Sequence, residues 1–341
     1  NVQAVVNYLK VLSELDVAEH RHPQSGHIVT YFIDRNGIGR RVDIRVSLLP
    51  GNYGEDAVLR ILDERQMTVG IDHLGMNPEL FQMFNRIIHK PSGLVMVTGP
   101  TASGKTTTLY SVIRELTTVN NKIVTVEDPI EYELTDVNQK QINQNLTFSE
   151  YTRSFMRQNP DVIMVGEVRD EETARTVFRA AQIGHLVLTT IHTHDAFSAI
   201  TRMLTLGIEP NLLASLLLAS LSQRLVRKIC PDCREAFTPD KKTLEMLPDM
   251  DSSDTFYRGK GCDSCMGLGY SGLTGVFEML AFGEDLTEFI MSTPQVTRKS
   301  VIAEFPYTSM YENARTKILE GVTSPEEVLR VIPVPAHFYR Q

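Results

Sequence analysis

The pattern of apolar and polar positions divides the chain into distinct textures. Over residues 2–15 the apolar positions 2, 5, 6, 9 and 12 follow a helical period. Two alternating stretches come next, at 28–33 and 42–46, and Asn36-Gly37 between them predicts a hairpin turn. These features predict a small α+β domain over residues 1–88. From Gly93 short apolar runs at 94–98, 123–126, 162–165 and 186–190 alternate with periodic segments. Such runs predict parallel strands covered on both faces, hence an α/β core over 89–229. Asp128-Pro129 and Asn159-Pro160 punctuate it as turns, and residues 212–225 read as helical. A loop-rich segment, 230–275, is dense in Gly and Cys, and 276–341 reads as a helical part. Its last helix starts at Ser324-Pro325, a capping serine followed by proline. There is no internal repeat.

Composition narrows the class. A chain of 341 residues allows about two domains and an accessory module, which excludes a single small binding module. Apolar residues make up 42% and charged residues 22%, the balance of an ordinary globular protein. Thirty-four basic against 42 acidic side chains give a net charge of −8, which argues against bulk attraction to nucleic acid or anionic lipid. No apolar run reaches the roughly 18 residues that span a bilayer, and residues 1–15 carry no secretory signal. Asn1 is not an initiator methionine, which leaves room for an upstream domain.

Gly99-Pro100-Thr101-Ala102-Ser103-Gly104-Lys105-Thr106 matches G-x-x-x-x-G-K-[ST] directly after an apolar strand. The loop must turn tightly while its N–H groups converge on phosphate oxygens. Lys105 is placed to reach the β- and γ-phosphates and Thr106 to offer a hydroxyl to Mg²⁺. Such a site also needs a carboxylate near the metal and a group to orient water. Glu127, opening Glu127-Asp128-Pro129-Ile130-Glu131, and Glu167, after Ile163-Met164-Val165-Gly166, compete for these roles at strand ends. His192-Thr193-His194-Asp195 closes a fourth strand; its histidines suit a γ-phosphate sensor, and a metal site or surface turn stays open for the pattern alone.

Cys230-Pro231-Asp232-Cys233 and Cys262-Asp263-Ser264-Cys265 are two C-x₂-C pairs separated by 28 residues, the ligand set of a closed tetrahedral Zn²⁺ site. A redox dithiol is the main rival. Four thiolates leave no open position, so the metal is structural; such pairs in a chain without an export signal point to a reducing compartment.

Many NTPases share the phosphate loop, whereas a larger set of motifs resembles the hexameric secretion ATPases of bacterial type II secretion and type IV pilus systems. The set comprises Arg45-Val46-Ser47, Leu59-Arg60, Glu127 to Glu131 as spelled above, Gly166-Glu167-Val168-Arg169-Asp170, His192-Thr193 with Asp195-Ala196, and Gln223-Arg224-Leu225-Val226-Arg227 before the first cysteine pair. The resemblance covers about residues 21–332. It implies a small PAS-like N-terminal α+β domain, a RecA-like P-loop ATPase domain with a zinc-binding insertion, and C-terminal helices.

The same resemblance implies ATP, Mg²⁺ and Zn²⁺ as cofactors, with Gly99 to Thr106 and Thr107 holding nucleotide. Glu127 to Glu131 form an acidic box, Glu167 ends Walker B and His192 centres a His box. By this analogy Glu127 is the general base or water-orienting group and Glu167 serves the Mg²⁺ side; the residues alone do not divide those roles. Arg45 and Arg60, helped by Arg40 or Arg41, fold over the phosphates. The implied machine is a cytoplasmic homo-hexamer, peripheral to the bacterial inner membrane through platform proteins, whose ATP hydrolysis drives pilus assembly or protein secretion by domain motion. The cysteine pairs favour the assembly or secretion branch over retraction. His194 departs from the Asn common in relatives. A nucleic-acid-dependent RecA-like translocase and an ATP-binding assembly scaffold are the rival classes; the net charge and the lack of tryptophan or a basic-aromatic stripe oppose the former.

Overall fold

Four buried, mainly aliphatic runs build the centre of the protein, which a computed structural model describes over residues 2–33, 39–63, 69–293, 297–305 and 307–332. The Asn36-Gly37 turn lies outside the described residues, as does the side chain of Arg40. The chain divides into two units, Asn1–Val69 and Gly70–Gln341.

In the first unit helix α1 (Val2–Leu12) precedes strands β1 (Gln24–Ile33), β2 (Gly39–Gly51) and β3 (Gly54–Asp63), an antiparallel sheet in the order β1-β2-β3. Val6 of α1 is buried against Ile28, Val46 and Leu48, so one sheet face forms a small core. Lys10 is buried with it. Its ammonium reaches Glu55 Oε1 at 2.7 Å and the Glu19 carbonyl at 2.6 Å, and His20 Nδ1 meets Glu55 Oε2 at 2.7 Å. A buried cation needs such partners because desolvation penalises it otherwise.

The second unit starts with a 3₁₀ turn (Ile71–His73) and helix α2 (Pro78–Ile88), capped by Asn77 Oδ1 on Leu80 N at 2.9 Å. This division falls ahead of the expected 88/89 boundary. Its cause is local: Gly275 N donates to the Leu74 carbonyl at 3.0 Å and Lys317 Nζ to the Gly75 carbonyl at 2.7 Å.

Strands β4 (Gly93–Thr98), β5 (Ile123–Glu127), β6 (Asn138–Gln141), β7 (Val162–Val165) and β8 (Leu186–Ile191) are mutually parallel. Helices α3 (Lys105–Leu116), α4 (Phe148–Phe155) and α5 (Glu171–Gln182) connect them, and α6 (Ala196–Thr205) and α7 (Pro210–Leu216) follow β8. Strands β9 (Leu217–Ile229) and β12 (Tyr270–Ala281) complete a seven-stranded sheet in the order β12-β9-β4-β8-β7-β5-β6. Every residue of β4, β5, β7 and β8 is buried, as the continuous apolar runs predicted.

Residues 217–225, read as helix, are strand. α7 stops at Leu216, and β9 pairs in parallel with β4 and antiparallel with β12. A strand buried on both faces has no alternation, so its Leu- and Ala-rich start has the same apolar texture as a helix, and only sheet pairing decides. Likewise 276–281 belongs to β12 rather than to a helical part. Between β9 and β12 lies the cysteine-rich insertion, with β10 (Arg234–Phe237) paired to β11 (Phe256–Gly259) and helix α8 (Lys241–Glu245). Helices α9 (Glu284–Ser292), α10 (Arg298–Glu304), α11 (Met310–Leu319) and α12 (Pro325–Val331) end the described chain, the last capped by Ser324 as expected.

Candidate active site

Parallel pairing brings the carboxyl ends of β4, β5, β7 and β8 to one edge of the sheet, where ligands bind in open α/β folds. The phosphate loop joins β4 to α3 there. Gly104 takes φ +88°, which a side chain resists. Pro100, Thr101 and Ala102 form an exposed rim, Ser103 is buried, and Thr106 and Thr107 open the helix half-buried. Lys105 Nζ donates to the carbonyls of Gly99 and Pro100, both at 2.9 Å. Burial pulls its pKa down to about 8; the Glu167 carboxylate opposes this shift and the Arg224 cation adds to it. Loop N–H groups and the helix terminus give the site a positive field.

Glu127 is a buried hub. Its side chain accepts from the Tyr110 hydroxyl, from Thr125 Oγ1 at 2.6 Å and from Gln139 Nε2 at 3.0 Å. Burial raises its pKa against those three donors. The residue is only 3% exposed, so the group expected to orient water is screened from it. Glu131, at the far end of the turn after the cis Asp128-Pro129 peptide, is half-buried. Its N–H donates to the Tyr110 oxygen at 3.3 Å, so one tyrosine links the two acids.

Glu167 lies at the end of β7, paired with Arg169 and 3.4 Å from His192 Nε2. Burial, then the Lys105 charge, lowers the His192 pKa. Lys105, Glu167 and His192 thus form one electrostatic group. Thr193 is tied to Thr98 at the end of β4, its N–H donating to Thr98 Oγ1 at 3.2 Å. Asp170 and Asp195 are helix caps, accepting from Thr173 N at 2.8 Å and Ser198 N at 2.6 Å. Since Asp195 also meets Arg298, and the four cysteines are the one cluster fit for a metal among the described residues, the metal alternative for His192 and His194 gains no support.

Arg45 and Arg60 lie in the first unit, directly opposite each other on β2 and β3, with His27 opposite Arg45 on β1. Three basic side chains therefore share one row of the sheet.

The four cysteine sulfurs lie within 4.8 Å of one another. The shortest separations, 3.7 Å for Cys262–Cys265 and 3.9 Å for Cys230–Cys262 and Cys233–Cys265, match the roughly 3.8 Å edge of a tetrahedron with Zn–S bonds of about 2.3 Å. Backbone N–H groups of Gly261, Cys262 and Gly269 point at the sulfurs at 3.2–3.3 Å, the pattern that stabilises thiolate. Gly269, at φ +75°, passes so close to Gly259 that a Cβ on Gly259 would stand 1.8 Å from its carbonyl oxygen. The donor set fits a closed structural zinc site.

Sequence reasoning assigned no role to Tyr110, Thr125, Gln139 or Gln223. Only Gln223 stood in a quoted motif. Thr125 shares a strand face with Glu127 two residues on, whereas Tyr110 and Gln139 gain their roles from packing that periodicity does not reveal.

Residues 1–330 match the family model described as type II/IV secretion system protein. The type II secretion system protein E of Pseudomonas aeruginosa is 44% identical over 330 residues, 96% of this chain and 65% of its own length. The type IV pilus assembly ATPase PilB of Thermus thermophilus is 40% identical over 334 residues, 96% of this chain and 37% of its own length. Among solved structures, the pilus retraction motor PilT with bound ADP superposes with a TM-score of 0.63 at 26% identity, covering 93% of this chain and 80% of that one. The chain therefore spans less than two thirds of the type II relative, and its second unit has the RecA-like ATPase fold with C-terminal helices and a cysteine-based metal-binding insertion.

Proposed function

The chain belongs to the type II/IV secretion system protein family, and from that premise we propose that it is a hexameric ATPase motor that hydrolyses ATP to ADP and phosphate to drive type II secretion or type IV pilus assembly. The observation that carries the reading is the phosphate loop at the strand edge, with Lys105, Glu167 and His192 in one electrostatic group. Residues 99–107 would cradle the triphosphate, Lys105 would hold its terminal phosphates and His192 would sense the γ-phosphate. Bound Mg²⁺, for which Thr106 and Glu167 are the ligands we assign, would neutralise charge on the transferring group. Arg45 and Arg60 would add guanidinium donors to phosphate oxygens.

We assign the water-orienting role to Glu131 rather than Glu127, a reading supported by the near-complete burial of Glu127 and the partial exposure of Glu131. Glu127, with both oxygens accepting hydrogen bonds, fixes Tyr110 and thereby the turn that presents Glu131. Zn²⁺ on Cys230, Cys233, Cys262 and Cys265 would fold the 230–275 insertion locally. The first unit would serve as the N-terminal domain, and a PAS-like topology for it rests on family resemblance alone.

Inner-membrane platform proteins are the partners we propose, at a cytoplasmic, peripheral position. No helix among the described residues is long and apolar enough to cross a membrane. Phosphate release from ATP tests the reading: the wild type should release it with Mg²⁺, and Lys105→Ala should lose at least about 100-fold, near 2.7 kcal/mol of barrier. Equal release by both proteins would overturn it. Stimulation by single-stranded DNA would point to the translocase class.

A further inference from the structure

Gln223 touches the phosphate loop at several points while belonging to none of its motif positions. It sits on β9, beside β4 in register with Ser222 opposite Thr98, and is 1% exposed. Its Nε2 donates to the Ser103 carbonyl at 2.7 Å, and its Oε1 accepts from Thr108 Oγ1 at 2.8 Å in the first turn of α3. A Cβ on Gly104 would stand 3.0 Å from Nε2, and one on Gly99 would stand 2.6 Å from the Gln223 carbonyl oxygen. The two glycines are thus required partly by this neighbour.

The contact has a directional consequence. In a trans peptide the C=O and the N–H of the next residue lie in one plane and point in opposite directions. Holding the Ser103 oxygen on the β9 side therefore aims the Gly104 N–H away from β9. Thr108, donating to Oε1, fixes which end of the carboxamide is the donor.

We propose that Gln223 is a positioning residue for nucleotide: its carboxamide sets the orientation of the Ser103–Gly104 peptide and so aims the Gly104 N–H at phosphate. The inference rests on the phosphate-loop reading above. It assigns to β9 a share of the affinity that the loop motif is ordinarily credited with alone.

Gln223→Glu gives a test with a chemical signature. Ionised, the new side chain sets an oxygen against the Ser103 carbonyl; protonated, its O–H donates where the amide did. Burial favours the protonated form as pH falls. The probe is Mg–ADP, titrated calorimetrically against wild type and variant at pH 8 and pH 6. The variant should bind about tenfold or more weaker than wild type at pH 8, with the ratio of the two constants closing to within about threefold at pH 6. The wild type at each pH removes the titration of Lys105 and of the nucleotide from the comparison. Equal affinity at both pH values, or a deficit that does not change with pH, would overturn the proposal. Absence of Mg–ADP binding by the wild type would instead sink the phosphate-loop reading beneath it. Where Gln223→Glu fails to melt cooperatively, Thr108→Val takes its place. It frees the carboxamide to turn over and should weaken Mg–ADP binding several-fold; wild-type affinity there would also overturn the proposal.

Discussion

Tyr110, on the helix that follows the phosphate loop, donates its hydroxyl to Glu127 at the end of β5, the next strand along the chain. The same oxygen accepts from Glu131 N at 3.3 Å, so one phenol bridges the two acids of a turn that Gln141 also holds, its Oε1 accepting from Ile130 N at 3.1 Å. Tyr110→Phe should lower kcat about tenfold, near 1.4 kcal/mol of barrier, while leaving KM for ATP within about twofold. Loss of the bond also removes a donor that opposes the raised Glu127 pKa, so that pKa should climb further. Steady-state kinetics with unchanged kcat would detach the phenol from the reaction.

The two ends of the acidic turn should respond differently to amide substitution. Glu127→Gln sets an NH₂ among three donors and should cost about 1–3 kcal/mol of stability along with activity. Glu131→Gln should leave the melting temperature near wild type and lower kcat about 100-fold. Wild-type turnover by Glu131→Gln would return the water-orienting role to Glu127 or Glu167.

Lys105 makes nucleotide affinity pH-dependent. With its pKa near 8 in the free protein, the ammonium is charged below pH 8 and increasingly neutral above. Phosphate favours the charged form, so Mg–ADP affinity should be steady below pH 8 and fall by up to about tenfold per unit above it, with proton uptake on binding. Fold stability runs the other way in the nucleotide-free protein. The folded pKa lies below the ordinary 10.5, so the unfavourable buried charge is fully present below pH 8 and fades between 8 and 10.5. Titrations in two buffers of different ionisation heat read the proton directly; affinity that is level from pH 7 to 9.5 would remove Lys105 from the phosphate contact.

Arg60 stands directly opposite Arg45 in the register of β2 and β3 and is exposed. Arg60→Ala should leave the melting temperature near wild type, since an exposed surface substitution usually changes stability by no more than about 0.5 kcal/mol, yet lower ATP turnover at least about tenfold. Loss of stability without loss of turnover would make Arg60 an ordinary sheet residue.

One metal per chain should be found by elemental analysis of protein purified under reducing conditions. Chelation should open residues 230–275 to protease while β4 to β8 stay protected in hydrogen exchange. A metal-free chain with an equally protected insertion would contradict the zinc assignment.

Much of this was legible in the sequence, for identifiable reasons. Strands β4, β5, β7 and β8 announced themselves because parallel strands buried on both faces must be apolar throughout. Lys105, Thr106 and the four cysteines were legible because their chemistry requires fixed spacing. β9 was misread as helix over 217–225, since Leu, Ala and Ser suit either state until two partner strands are in place. The burial of Glu127 was hidden for a related reason: Thr125 shares its strand face, but Tyr110 and Gln139 reach it from α3 and β6, and the sequence carries no trace of those approaches. Asp170 and Asp195, in motifs that resemble those of secretion ATPases, proved to hold helix termini.

ATP hydrolysis measured against protein concentration, with particle mass recorded in the same samples with and without nucleotide, tests the motor reading most directly. Specific activity should rise steeply as a six-subunit species forms, with Lys105→Ala assembling but inactive. Full activity carried by a monomer, with no nucleotide-driven assembly, would contradict it.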